Sequence, residues 1–232
     1  MLRKLTLFIP ISITVFLCSC STESTTDLSE DLGNVPFKRS IDIDTSLVII
    51  NKTTDFCEWR SVFKASTPDM NEHGLNLMDS YQGLEDTNLA LTFHAVSNLE
   101  TAQAFMESSA SSEPFKSVTA NDELTSMFLD QQLEYTREAK DTLVMFMSFK
   151  TMKYERWEEA FLDDYREDST KDFQVLRVFR GLEDRDHVYM LFKVNDPNYI
   201  ERTEKNNAFK MKMLAAGVVS YPVSYKLFPA EV

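Results

Sequence analysis

The chain is 232 residues long, 43% hydrophobic, and carries a formal charge of −13 with only five glycines. That acidity excludes a nucleic-acid partner, whose phosphates require a basic stripe, and it disfavours adsorption of the chain to an anionic lipid surface. So few glycines leave little for a phosphate-cradling loop, and no nucleophile elbow, dinucleotide fingerprint or zinc spacing is present.

The first residues follow a secretory pattern. Arg3 and Lys4 precede an apolar run from Leu5 to Leu17, which is too short to span a ~30 Å hydrocarbon core. Leu17-Cys18-Ser19-Cys20 then resembles the lipobox of bacterial lipoproteins. The resemblance implies removal of residues 1–19 and acylation of Cys20, so that the chain is tethered to a membrane of the cell envelope. Ser21 to Val35 is rich in Ser, Thr, Asp and Glu and has too little apolar surface to fold. Residues 20–44 are expected to form the lipidated start and a flexible tether.

Two folded units follow, over 45–135 and 142–228. In the first, Leu47 to Ile50 is a β-branched run, and Asp55 to Ser66 places Phe56, Trp59, Val62 and Phe63 at helical spacing. Leu75, Leu77 and Tyr81 alternate with polar residues and lead through Gly83-Leu84-Glu85-Asp86 into a strand from Leu89 to Val96. Asn98 N-caps a second helix, with Leu99, Ala102 and Phe105 or Met106 facing inward. A weaker strand lies near Met127 to Leu133. In the second unit, Leu143 to Phe149 is a strand, and Tyr154, Trp157, Ala160, Phe161 and Tyr165 stripe a helix. Phe173, Val175 and Phe179 alternate, and His187 to Val194 returns. Asp196 and Pro197 open a last helix carrying Ile200, Met211 and Leu214. Val218 to Phe228 closes the unit, at a sheet edge because Gly217 and Pro222 interrupt it.

The two units match without a gap from Lys52 to Ser97 when the chain is slid by 98 residues, from Gly83 to Gly181. Gly83-Leu84-Glu85-Asp86 falls on Gly181-Leu182-Glu183-Asp184, and Trp59 falls on Trp157. Each unit reads β-α-β-β-α-β, the ferredoxin-like order. The chain therefore resembles the dimeric α+β barrel superfamily, which includes the antibiotic-biosynthesis monooxygenase-like proteins. The resemblance implies an α+β fold of two ferredoxin-like units packed sheet to sheet within one chain. No catalytic motif of that group can be carried over.

Candidate site residues are few. His94 shares a strand face with Ala90 and Thr92 and is expected to point into the barrel. Asp79 and Arg177 are equivalent in the two units and carry opposite charges, so they either meet across the barrel or point to solvent. His73 lies in a loop and His187 opens a strand beside Asp186. Cys57 has no group nearby to lower its pKa and reads as an unreactive thiol. No metal and no cofactor is expected. The reading is a membrane-anchored, monomeric lipoprotein that binds a small apolar molecule or an envelope protein without catalysis. The alternative is a cofactor-independent enzyme of the monooxygenase-like barrel kind, acting through one polar group such as His94. For the anchor, Cys20→Ser should abolish incorporation of labelled palmitate; palmitate entering the variant would place the lipid elsewhere.

Overall fold

The computed structural model describes residues 37–39, 45–135, 142–167, 173–196, 202 and 205–232. The expected leader, Cys20, the Ser21–Val35 tether, and Pro197 and Ile200 lie outside the described residues. Within them the first unit contains β1 (Phe37–Arg39), β2 (Thr45–Thr53), α1 (Phe56–Glu72), β3 (Leu75–Gly83), β4 (Leu89–Val96), α2 (Leu99–Glu107), α3 (Ser109–Ser112) and β5 (Thr119–Tyr135). The second contains β6 (Val144–Lys150), α4 (Tyr154–Glu167), β7 (Phe173–Gly181), β8 (His187–Val194), α5 (Asn207–Ala215) and β9 (Val223–Pro229). The segment expected as a tether through residue 44 thus already supplies a strand, β1, paired with the end of β5.

Local chemistry accounts for most boundaries. The Asp55 carboxylate accepts the Glu58 amide at 2.9 Å and starts α1. Trp59, Phe63 and Met70 continue its buried stripe, and Gly74 at φ +79° ends it. The helix runs past Ser66 and through Pro68, where the hydroxyls of Ser66 and Thr67 bond back to the carbonyls of Val62 and Phe63. Both Gly-Leu-Glu-Asp turns need their glycine. A Cβ on Gly83 would lie 2.3 Å from the Asp86 carbonyl oxygen, and one on Gly181 would lie 2.5 Å from that of Asp184.

The strands run β5-β2-β4-β3 in the first unit and β9-β6-β8-β7 in the second. The two sheets do more than stack. β5 pairs with β7 from Leu129↔Gly181 to Glu134↔Arg177, and β3 pairs with β9 from Tyr81↔Pro229 to Gly83↔Leu227. Eight strands therefore close into a barrel, with β1 continuing the β2 edge of the long β5. β9 is the edge of its own four strands, as its irregular start suggests, but closure gives it a second partner.

Inside the barrel Val48, Ile50, Leu91, Phe93 and Leu129 meet Val144, Phe146, Leu176, Phe179, Leu191 and Leu227. Phe93 packs on Phe179 and Phe146 with ring centroids 5.8 and 5.6 Å apart. An eight-stranded barrel is just wide enough for side chains to fill it, and these do. The opposite face of each sheet is covered by helices: α1 and α2 bury Trp59, Phe63 and Phe105 in the first unit, and α4 buries Tyr154, Trp157 and Leu162 in the second.

Two β-bulges sit at equivalent places, between Leu77 and Asp79 and between Val175 and Arg177. A bulge shifts the alternation by one residue. Leu77 and Val175 therefore face the helices, whereas Tyr81 and Phe179 face the interior. In α5 Met211 and Leu214 are 64% and 62% exposed, whereas Met213, and Ala216 just after the helix, rest on the core. The apolar residues of this helix are spread around its circumference, so spacing alone assigns it no face.

Candidate functional site

Asp79 and Arg177 come together. Their strands, β3 and β7, stand on opposite sides of the barrel with three strands between them in either direction. The bulges turn both side chains inward near one end, where the Arg177 guanidinium donates to Asp79 Oδ2 at 2.7 Å. Because the two positions are equivalent in the two units, the pair marks the pseudo-two-fold axis. Glu134 Oε1 lies 3.7 Å from Arg177 Nε. The Tyr81 hydroxyl is pushed well above the usual phenol range, first by burial and then by the Asp79 charge, against the opposing pull of Arg177. This cluster caps the filled interior.

His94 lies elsewhere. Its place on one face with Ala90 and Thr92 holds, but that face is the one beneath α1, not the barrel interior. Strand alternation gives the interior to Leu91 and Phe93, while the His94 ring lies 5.9 Å from that of Phe63 on α1. The imidazole is 1% exposed. Its Nε2 lies 3.0 Å from the Thr92 hydroxyl, and Nδ1 has no hydrogen-bond partner. Whichever tautomer forms, Nδ1 is left either an unused donor or an unused acceptor. Burial lowers its pKa to about 4, so the ring is neutral at neutral pH.

Asn51, one strand away on the same face, has a similar deficit. Its Nδ2 donates to Thr119 Oγ1 at 3.1 Å, and its buried Oδ1 has no partner. Asn51 lines a crevice between α1, α2–α3 and the sheet, walled by Trp59, Phe63, Met70, Phe105 and Phe115 together with Ser66, Asp69 and Ser111. The free space admits about one water molecule. The second unit shows what ordinary packing at this level looks like. Phe149, Met190 and Phe192 occupy the positions equivalent to Asn51, Thr92 and His94, and all three belong to the buried apolar core under α4. The sequence signal was therefore present as polar-for-apolar replacements at the 98-residue offset, from Asn51 to Phe149. Asn51 escaped notice because it precedes the ungapped match.

The remaining candidates stay apart from this crevice or serve local structure. His73 caps α1, with Nδ1 2.8 Å from the Asp69 carbonyl and its ring stacked on Phe105 at 4.4 Å. His187 is half-buried against Tyr189, and burial lowers its pKa. Cys57 is exposed on α1. Among the described residues no three metal-ligating side chains converge.

No sequence-family profile matches the chain. No curated protein is similar to it in sequence at a significant level. Its fold, however, is found in solved structures. An anthrone oxidase-like protein superposes with a TM-score of 0.55 at 13% identity, over 84% of this chain and 95% of the other. The shared fold is an α+β barrel of two ferredoxin-like units. A candidate monooxygenase from Lactobacillus acidophilus gives 0.54 at 10% identity over 81% and 94%. A heme-binding protein from Thermus thermophilus gives 0.51 at 11% identity over 85% and 95%.

Buried His94 makes stability depend on pH. Its pKa is about 4 when folded and 6.5 in an unperturbed histidine. Above the unfolded value both states are neutral. As pH falls below it, the unfolded chain takes up a proton that the native state refuses until near the folded value, so stability is lost over that window. The loss approaches about 3 kcal/mol. His94→Phe, which copies position 192, should remove this dependence. Urea unfolding at about pH 7.5 and about pH 4.5 tests it; an unchanged difference between the two pH values in the variant would mean that His94 is not the group responsible.

Proposed function

We propose that this chain is a lipid-anchored envelope protein that binds a small, largely apolar molecule in the helix-covered crevice of its first unit. The observation that carries the reading is the unpartnered buried Asn51 Oδ1 on the wall of the crevice; His94 Nδ1, on the same sheet face but outside the crevice lining, is unpartnered too. A buried polar atom without a partner costs about 1–3 kcal/mol. Asn51 and His94 in place of Phe149 and Phe192 thus destabilise the resting protein, and Asn51 Oδ1 leaves hydrogen-bonding capacity for a guest. Aromatic walls from Trp59, Phe63 and Phe105 supply apolar contact, and Asn51 Oδ1 accepts one hydrogen bond that fixes orientation. Admission of a guest larger than water displaces α3 and the turn carrying Phe115, which form the outer wall. The anchor rests on the Leu17–Cys20 sequence.

A second reading is enzymatic, and the fold neighbours named for monooxygenase and anthrone oxidase chemistry favour it. Here neutral His94, which lies beside Phe63 outside the crevice lining, would accept a proton from an acidic O–H or C–H of the bound molecule once Phe63 moved aside, without metal or cofactor. Heme, which one neighbour binds, does not fit these residues. The crevice has no room for a macrocycle, the Phe63 ring lies beside the imidazole, and Nε2 is already engaged by Thr92.

A planar phenol such as 2-naphthol is a suitable probe. In a Trp157→Phe background, where Trp59 is the sole indole, saturable quenching by 2-naphthol is expected. Filling the crevice with Asn51→Phe should abolish it. Quenching that survives this substitution, or none in the parent, would contradict the crevice as the binding site.

A further inference from the structure

We propose that the guest of the first unit's crevice is an organic ammonium ion, an apolar group that ends in –NH3+. The inference rests on the crevice being a binding site, and it adds the charge and donor character of what binds there. The polar groups of the wall carry it, because their donors are turned into the protein. Asn51 Nδ2 donates to Thr119 Oγ1 at 3.1 Å. The Ser66 hydroxyl donates to the Val62 carbonyl at 3.0 Å. The Ser111 hydroxyl is shared between the Met106 and Ser108 carbonyls, at 3.0 and 2.9 Å. No lysine, arginine or histidine lines the crevice. What its amide and carboxyl side chains turn towards a guest is acceptors: Asn51 Oδ1, buried and without a partner, and the Asp69 carboxylate.

Charge and ring faces point the same way. Among the described residues lining the crevice, Asp69 is the one charged side chain, and it is an anion. Neighbouring His73 gives its Nδ1 hydrogen to the Asp69 main-chain carbonyl at 2.8 Å and lies 3.7 Å from the carboxylate. Trp59 and Phe63 stack with centroids 5.0 Å apart, and Phe115 lies 6.4 Å from Phe63. Aromatic faces carry partial negative charge and attract a cation. The free space admits about one water molecule, which is also the size of an –NH3+ head. Such a head brings three donors and no acceptor. Burying a charge is costly unless it is paired and hydrogen-bonded, and Asp69 and Asn51 Oδ1 supply both. A carboxylate or phosphate head would set acceptors against acceptors and meet the Asp69 charge. A neutral alcohol or phenol satisfies Asn51 Oδ1 but gains little from Asp69 or the rings. The formal charge of −13 on the chain draws a cation rather than an anion towards the protein.

The test is a series of three ligands that keep one ring system and change the head: 2-naphthylmethylamine, protonated at neutral pH, 2-naphthylmethanol and 2-naphthoate. Titration calorimetry on the full chain should show the amine binding at one site, roughly tenfold tighter than the alcohol. The carboxylate should not bind. Asn51→Leu leaves the net charge of the chain as it is and should erase most of the preference for the amine, while Asp69→Asn should reduce it about threefold. Equal affinity for amine and alcohol would overturn the ammonium inference and leave the crevice as a site; binding of neither would remove both. A preference for 2-naphthoate would mean that the Asn51 amide presents Nδ2 to the guest, and would overturn the inference as well. So would a preference for the amine that survives Asn51→Leu, because the cation would then sit on the acidic surface. The ligand series on the unaltered chain does not depend on any variant folding.

Discussion

The constraint on which the structure depends is the bare inner face of each four-stranded sheet. Helices cover only the outer faces, and Val48, Leu91 and Phe93 on one side, with Phe146, Phe179 and Leu191 on the other, have no cover except each other. Full burial of each such side chain is worth about 1.5–3 kcal/mol, and packed aromatic pairs add about 0.5–1.5 kcal/mol. Hydrogen bonding of β5 to β7 and of β3 to β9 then satisfies the edges that stacking alone would leave open. Burial and edge pairing together make one closed barrel of two units that read alike in sequence.

Closure also divides the labour of the molecule. The interior is filled, and its axis is occupied by the Asp79–Arg177 pair, which exists because equivalent bulges turn equivalent positions inward. With no space there, differences between the units can only be expressed on the outer faces. The second unit packs Phe149, Met190 and Phe192 under α4 and stays apolar. The first places Asn51, Thr92 and His94 at the same level and leaves Asn51 Oδ1 and His94 Nδ1 without a partner. The helix-covered face of the second unit is thus apolar, and that of the first carries polar side chains.

Much of this was legible in the sequence. Trp59 on Trp157 and the repeated Gly-Leu-Glu-Asp turn gave the order of elements and the pairing of units, because helix stripes and tight turns are local patterns. What failed was orientation. His94 was placed on the right strand face, yet nothing local distinguishes a face beneath a helix from a face inside a barrel when both are apolar. The bulges at Met78 and Leu176 leave no composition signal, so Leu77 and Tyr81 looked like one face although they line two. Met211 and Leu214 were named on the last helix with no facing given, and the structure leaves both exposed. Phe37–Arg39 was missed because three residues make no periodicity.

The central claim is that neither unit is complete alone, and separating them tests it most directly. Residues 37–139 and 140–232 expressed apart, and then mixed, can be followed by light scattering and circular dichroism. The account predicts that each alone aggregates or pairs with itself to cover its inner face, and that mixing restores a one-to-one complex with the circular dichroism of the intact chain. Two halves that are folded and monomeric by themselves would contradict it.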